Sequence, residues 1–219
     1  MKIIKLRFVL VIISVLIAFK SWPQSAKALF HTDTLILYGA DCSVLKIAEQ
    51  KHRGDDTSVY ELFDVANKEI PAFRTAFAKR SLQYRKFFKV KYLSYDSLPL
   101  KSSRPLSADG INISRDKNFV AFDDKDGIRN AVQAYNPGVY KSGVAVVFFP
   151  TCIDELKNKI GYYIVYFDIA TKRILIIDRM VAELSKSPTA RGAELWNGGI
   201  INMLNQMPGA YDFWTAYPR

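Results

Sequence analysis

The chain has 219 residues, 49% of them hydrophobic and 13% aromatic, with 11 Gly, 9 Pro and 2 Cys. That balance excludes a disordered chain, a collagen-like repeat and a disulfide-dense mini-scaffold, and it supplies the core of one ordinary domain. Thirty-one Lys and Arg against 21 Asp and Glu give a formal net charge of +10, which raises nucleic acid, anionic membrane and acidic partners as ligands.

Residues 1–28 open with Lys2, Lys5 and Arg7, continue through an apolar run over 8–19, and end on Ala26-Lys27-Ala28. A basic start, a short apolar middle and an A-x-A site form the secretory signal pattern, with cleavage between Ala28 and Leu29. As a helix the run is about 18 Å long, against a hydrocarbon core of about 30 Å. It is short for a membrane anchor, and an uncleaved N-terminal anchor is the alternative. Five of the chain's basic residues and no acid lie in this segment, so residues 29–219 carry +5.

Residues 29–219 read as a single exported α/β domain. TLILY at 34–38, ending at Gly39, predicts a first strand. Ser58 and Glu61 make a capping-box pattern for a helix through Tyr60, Leu62, Phe63 and Val65. Pro71 either starts a second helix or kinks the first, and Phe73, Ala76 and Phe77 continue helical spacing. KVKYLSY at 89–95 predicts a strand, and the Ser-, Pro-, Asn- and Asp-rich stretch 97–118 a long surface loop. After a short strand at 119–122, Asp124 or Asp126 caps a helix with Ile128, Val132 and Tyr135 on its apolar face. Asn136-Pro137-Gly138 ends it.

Three β-rich runs follow at 144–149, 162–168 and 173–180, the last two joined by Ala170-Thr171. They predict an antiparallel meander, and their near-continuous hydrophobicity predicts helices over the sheet. A closing helix over 190–207 places Trp196, Ile200, Met203, Leu204 and Met207 on one face. The expected fold is α+β: one domain, a mostly antiparallel sheet with the C-terminal three-stranded meander, covered by helices.

YIVYFDIATKRILIID at 163–178, with the Trp-bearing helix ELWNGGIINMLNQM, resembles the C-terminal part of a group of exported, uncharacterised bacterial α/β proteins. LYGADCS at 37–43 is similar to their first strand and following turn. The resemblance covers about half of the exported chain. It implies fold and export and carries no catalytic residue across.

Chemical constellations are sparse. His31 and His52 are the whole imidazole supply, without i, i+4 or C-x-x-C partners, so no metal site is expected. Asp123-Asp124-Lys125-Asp126-Gly127 has Phe122 and Gln133 where a Ca²⁺ loop needs its terminal carboxylates, and reads as a turn and cap. No phosphate-binding glycine motif and no nucleophile elbow occurs, so no cofactor is expected. Gly198-Gly199 fits close helix packing better than phosphate binding.

Cys42 and Cys152 admit three readings: separate buried thiols, a disulfide permitted by export, or a catalytic thiol served by His52. Asp41 stands beside Cys42 at the end of the first strand, as a turn residue or a candidate site residue.

The remaining charge has a location. Residues 79–104 hold Lys79, Arg80, Arg85, Lys86, Lys89, Lys91, Lys101 and Arg104 against Asp96 alone, a net +7. Tyr84, Phe87, Phe88, Tyr92 and Tyr95 are interleaved with them. The plain reading is a solvated helix end leading into a Lys-guarded edge strand. The functional reading is a face for an anionic envelope component or another envelope protein, while export argues against nucleic acid. The sequence thus predicts an exported envelope or periplasmic domain, non-enzymatic and acting in binding or assembly through a basic face at 79–104. With the signal cleaved, contact with the membrane is peripheral only. The alternative is a small secreted enzyme with its site near Asp41 and Cys42.

Overall fold

The computed structural model describes residues 32–48, 65–101, 112–114, 124–136, 138–154, 157–184 and 192–216. Outside them lie the signal-type segment with its Ala28–Leu29 site, both histidines, the capping box at Ser58 and Glu61 and the strand expected at 119–122.

Among the described residues seven strands form one mixed, open sheet: β1 (Thr34–Ala40), β2 (Lys46–Ala48), β3 (Tyr92–Tyr95), β4 (Asn112–Ser114), β5 (Val144–Asp154), β6 (Lys159–Asp168) and β7 (Ile174–Glu183). Four α-helices accompany it: α1 (Ile70–Arg80), α2 (Lys125–Ala134), α3 (Gly192–Leu204) and α4 (Met207–Ala216). The α+β class and the C-terminal meander stand, but the sheet is not mostly antiparallel. Only β5–β6 and β6–β7 pair antiparallel. The pairs β1–β3, β1–β5, β2–β5 and β2–β4 are parallel. The reason lies in the connections: short turns return a strand beside its predecessor reversed, while helix-bearing crossovers of a dozen or more residues bring it back parallel. Helix α1 lies in the crossover from β1 to β3, and α2 in the one from β3 to β5.

β5 is buried along its whole length, so both faces of the central sheet are covered. Its side chains alternate between two cores. Val144, Val146 and Phe148 join α1, α3 and α4 through Phe73, Phe77, Trp196 and Trp214. Ala145, Val147 and Phe149 join α2 through Ile128 and Val132, with Tyr135 just beyond it.

Local chemistry sets the helix ends. α1 continues directly from a π-helical turn (Val65–Glu69), with Pro71 at the change of helix type, and Lys79 and Arg80 sit favourably in its last turn. Asp124 caps α2, its Oδ1 accepting from the Gly127 amide at 2.7 Å. The single closing helix expected over 190–207 is two helices. Pro208 has no N–H to give the preceding turn, so the chain breaks at Asn205-Gln206 and restarts as α4. Gly199 lets α3 close onto β6, because a Cβ there would overlap the Ile160 side chain. The stretch expected as a loop at 97–118 contains a 3₁₀ turn (Leu98–Lys101) and the short strand β4. The strand expected over 89–95 begins only at Tyr92.

Candidate functional site

β1, flanked in parallel by β3 and β5, points its carboxyl end at a place where the following helices separate. The helix after β1, α1, packs on one face of the sheet, and the helix after β3, α2, packs on the other. Open parallel sheets hold their ligands at such switch points, where the diverging connections leave a crevice.

Asp41 and Cys42 sit here, both fully buried. The Asp41 carboxylate is wholly engaged: Oδ1 accepts from the Ser43 amide at 2.9 Å, and Oδ2 accepts from the Tyr135 hydroxyl at 2.6 Å. It ties the end of β1 to the end of α2. Burial, reinforced by the Asp41 charge and this hydrogen bond, holds the Tyr135 phenol well above its ordinary range. Burial pushes the Cys42 thiol up to about 12, outweighing the nearby Arg74 guanidinium, which draws it down. Such a thiol is protonated at neutral pH and is no nucleophile. Cys42 and Cys152 are both free thiols and both buried. Burial pushes the Cys152 thiol to about 12 as well.

Asp96, one residue past β3, is the second buried carboxylate of this end. Its Oδ1 accepts from the Leu98 amide at 3.1 Å and its Oδ2 from the Val139 amide at 2.7 Å. It fixes the turn after β3 against the segment after α2. The Tyr38 hydroxyl is buried nearby without a hydrogen-bond partner among the described residues.

Between α1 and the ends of β1 and β3 is an open cleft of about 240 Å³, lined by Ala40, Arg74, Thr75, Ala78, Tyr95, Ser97 and Leu100. Arg74 Nε donates to the Ala40 carbonyl at 3.2 Å. The Tyr95 ring lies across Gly39, where a Cβ would stand 3.4 Å from the hydroxyl. Gly39 has φ +114°, at a register shift in β1, so it is the backbone conformation of the bulge that calls for glycine. Sequence reasoning reached Asp41 and Cys42 but missed Arg74, Asp96 and Ser97. Arg74 falls between Phe73 and Phe77 and reads as an ordinary solvated helix position; only the strand order turns it toward a cleft.

The basic residues lie elsewhere. Lys79, Arg80, Arg85, Lys86, Lys89 and Lys91 are all exposed, along the last turn of α1, a 3₁₀ segment (Ser81–Phe87) and the approach to β3. Their interleaved rings divide. Tyr84 and Phe88 turn into the core, Tyr84 4.8 Å from Phe77 and Phe88 6.3 Å from Phe148, while Tyr92 stays 53% exposed. Lys86 lies over Phe87 at 4.8 Å and Lys91 over Tyr92 at 5.2 Å, so their stems are held against aromatic faces. Lys89 pairs with Asp212 at 2.7 Å, and among the described residues it is the only one of the six in an ion pair. β3 is an edge strand of the sheet, so these lysines also stand where they deter edge pairing. Arg104 lies outside the described residues.

Among the described residues no cluster of His, Cys, Asp or Glu could hold a metal ion, and no helix is long and apolar enough to cross a membrane. Comparison with protein families, curated proteins and solved structures gives no match, so function rests on the chain's own residues and their geometry.

Proposed function

We propose that the chain is an exported domain of the bacterial envelope or periplasm that works by binding or assembly, and that its basic face docks an anionic envelope component. The carrying observation is the exposure of all six cations from Lys79 to Lys91 on one continuous segment, five of them without an ion pair among the described residues. Uncompensated surface charge costs self-repulsion and returns it on meeting an anionic surface. Lys86 and Lys91, resting on rings, present their ammonium groups with less loss of side-chain freedom on binding. The secreted-enzyme alternative draws less support, because Asp41 and Cys42 are closed to solvent and the thiol keeps its proton.

Binding of this kind weakens as the Debye length shrinks from about 30 Å at 0.01 M salt to about 8 Å at 0.15 M. The test is cosedimentation with vesicles containing anionic lipid. The native protein is expected to pellet at low salt and be released at high salt, and Lys86→Glu/Lys89→Glu/Lys91→Glu to stay in the supernatant throughout. Equal pelleting of the two proteins would overturn the reading.

A further inference from the structure

We infer that the cleft between α1 and the ends of β1 and β3 is a second binding site, which takes the carboxylate of a small organic acid on Arg74. This inference stands apart from the basic face, which it does not use.

Four observations converge. The cleft occupies the switch point of the parallel strands, where the scaffold itself leaves a crevice. Arg74 is a cation without an ion pair among the described residues, because both neighbouring carboxylates are spent: Asp41 on Ser43 and Tyr135, Asp96 on Leu98 and Val139. Its Nε is fixed by the Ala40 carbonyl and its side chain also donates toward the Cys42 thiol, which orients the guanidinium while leaving other donors of the planar fork to spare. Finally, Tyr95 and Ser97 both line the cleft, and because the Ser97 hydroxyl is given to the Tyr95 oxygen, the Tyr95 O–H is left as one neutral donor beside it.

The chemistry selects the ligand. One guanidinium with one neutral hydroxyl donor matches a single planar negative charge, which the Arg fork grips in bidentate fashion. Among the described residues no second cation lines the cleft to balance a phosphate dianion. Ala40, Ala78 and Leu100 provide apolar wall for a short hydrocarbon chain. The volume, about 240 Å³, equals about eight waters and lies below the range of pockets that enclose large ligands. The site therefore holds one acid group and a few carbons, either a free short-chain acid or the terminus of something larger.

The experiment is a titration of the ¹⁵N-labelled protein with butyrate, followed at the Arg74 Nε–H and the Ala40 and Ser97 amides. Inorganic phosphate and butylamine serve as controls at the same concentration and ionic strength, and a peptide ending in a free carboxylate tests the larger source. Saturable shifts of these groups are expected with butyrate and not with the controls. Arg74→Met is expected to weaken binding about tenfold or more, the loss of one charge-assisted contact. Because Arg74 also braces β1, Ala78→Phe provides a second variant that fills the cleft and leaves Arg74 in place. It is expected to keep the native thermal transition and lose the shifts. Absence of saturation with butyrate, equal response to phosphate, or unchanged binding in Ala78→Phe would each overturn the inference.

Discussion

The two ends of the parallel strands treat charge in opposite ways. At the carboxyl end, Asp41 and Asp96 are buried and spend both oxygens on partners from other segments. Along the segment that runs from the last turn of α1 to the other end, where β3 begins, the cations from Lys79 to Lys91 are exposed, and among the described residues only Lys89 has an ionic partner. A buried carboxylate is tolerated only when fully bonded, so the first end is a clasp on which folding depends. A solvated lysine contributes little to stability, so the second end is free to serve an outside partner. On the proposed function, structure and association fall to different residues.

Alkali is expected to break the clasped end with the largest effect. Cys42, Tyr38, Tyr95 and Tyr135 gather there, and all hold their protons more tightly in the fold than ordinary values allow, chiefly through burial. A group whose folded pKa is raised contributes stability below its unfolded pKa and loses it as pH climbs through the folded one. For Cys42 that window runs from about 9 to about 12. Urea titrations monitored by circular dichroism should show stability falling across it, and a flat profile would contradict the burial argument.

Single substitutions sharpen the contrast. Asp41→Ala strands the Tyr135 hydroxyl and the Ser43 amide, and is expected to cost about 3 kcal/mol in urea unfolding. Gly39→Ala forces a side chain onto φ +114° beneath Tyr95, for a loss of about 2 kcal/mol. Phe149→Leu, by comparison, would report on packing alone and leave the clasp intact.

What the sequence disclosed follows the range of the interactions involved. The cap at Asp124, the apolar face of α2 and the turn between β6 and β7 depend on neighbours within a few residues, and each is where the pattern put it. Asp168 even supplies the turn's bonds, accepting from the Thr171 amide and hydroxyl at 2.8 and 2.7 Å. Strand order is different. Nothing local tells Thr34 that it will lie beside Tyr92, and a sheet judged from its meander alone looks antiparallel. The long stretches between the first strand, the second and the meander were the available signal for parallel pairing. The break before Pro208 was similarly legible, but α4 beyond it is short, and its Tyr211 and Trp214 show their role only against Tyr166.

Arg74 lay outside reach for the same reason. Its neighbours Ala40 and Tyr95 are brought to it by the strands on either side of the cleft, not by spacing along a helix. The charged stripe, being continuous in sequence, was visible from composition. Its aromatics were not separable in advance: Tyr84 and Phe88 face the core, while Tyr92 does not.

The separation of the two ends is tested most directly by measuring both properties on both variants. Asp41→Ala and Lys86→Glu/Lys89→Glu/Lys91→Glu would each be assayed for urea stability and, at a temperature where each is folded, for low-salt cosedimentation with anionic vesicles. The account requires that Asp41→Ala lose about 3 kcal/mol and still pellet, while the triple variant changes stability by less than about 1 kcal/mol and no longer pellets. A triple variant that unfolds, or an Asp41→Ala protein that is stable but fails to pellet, would contradict it.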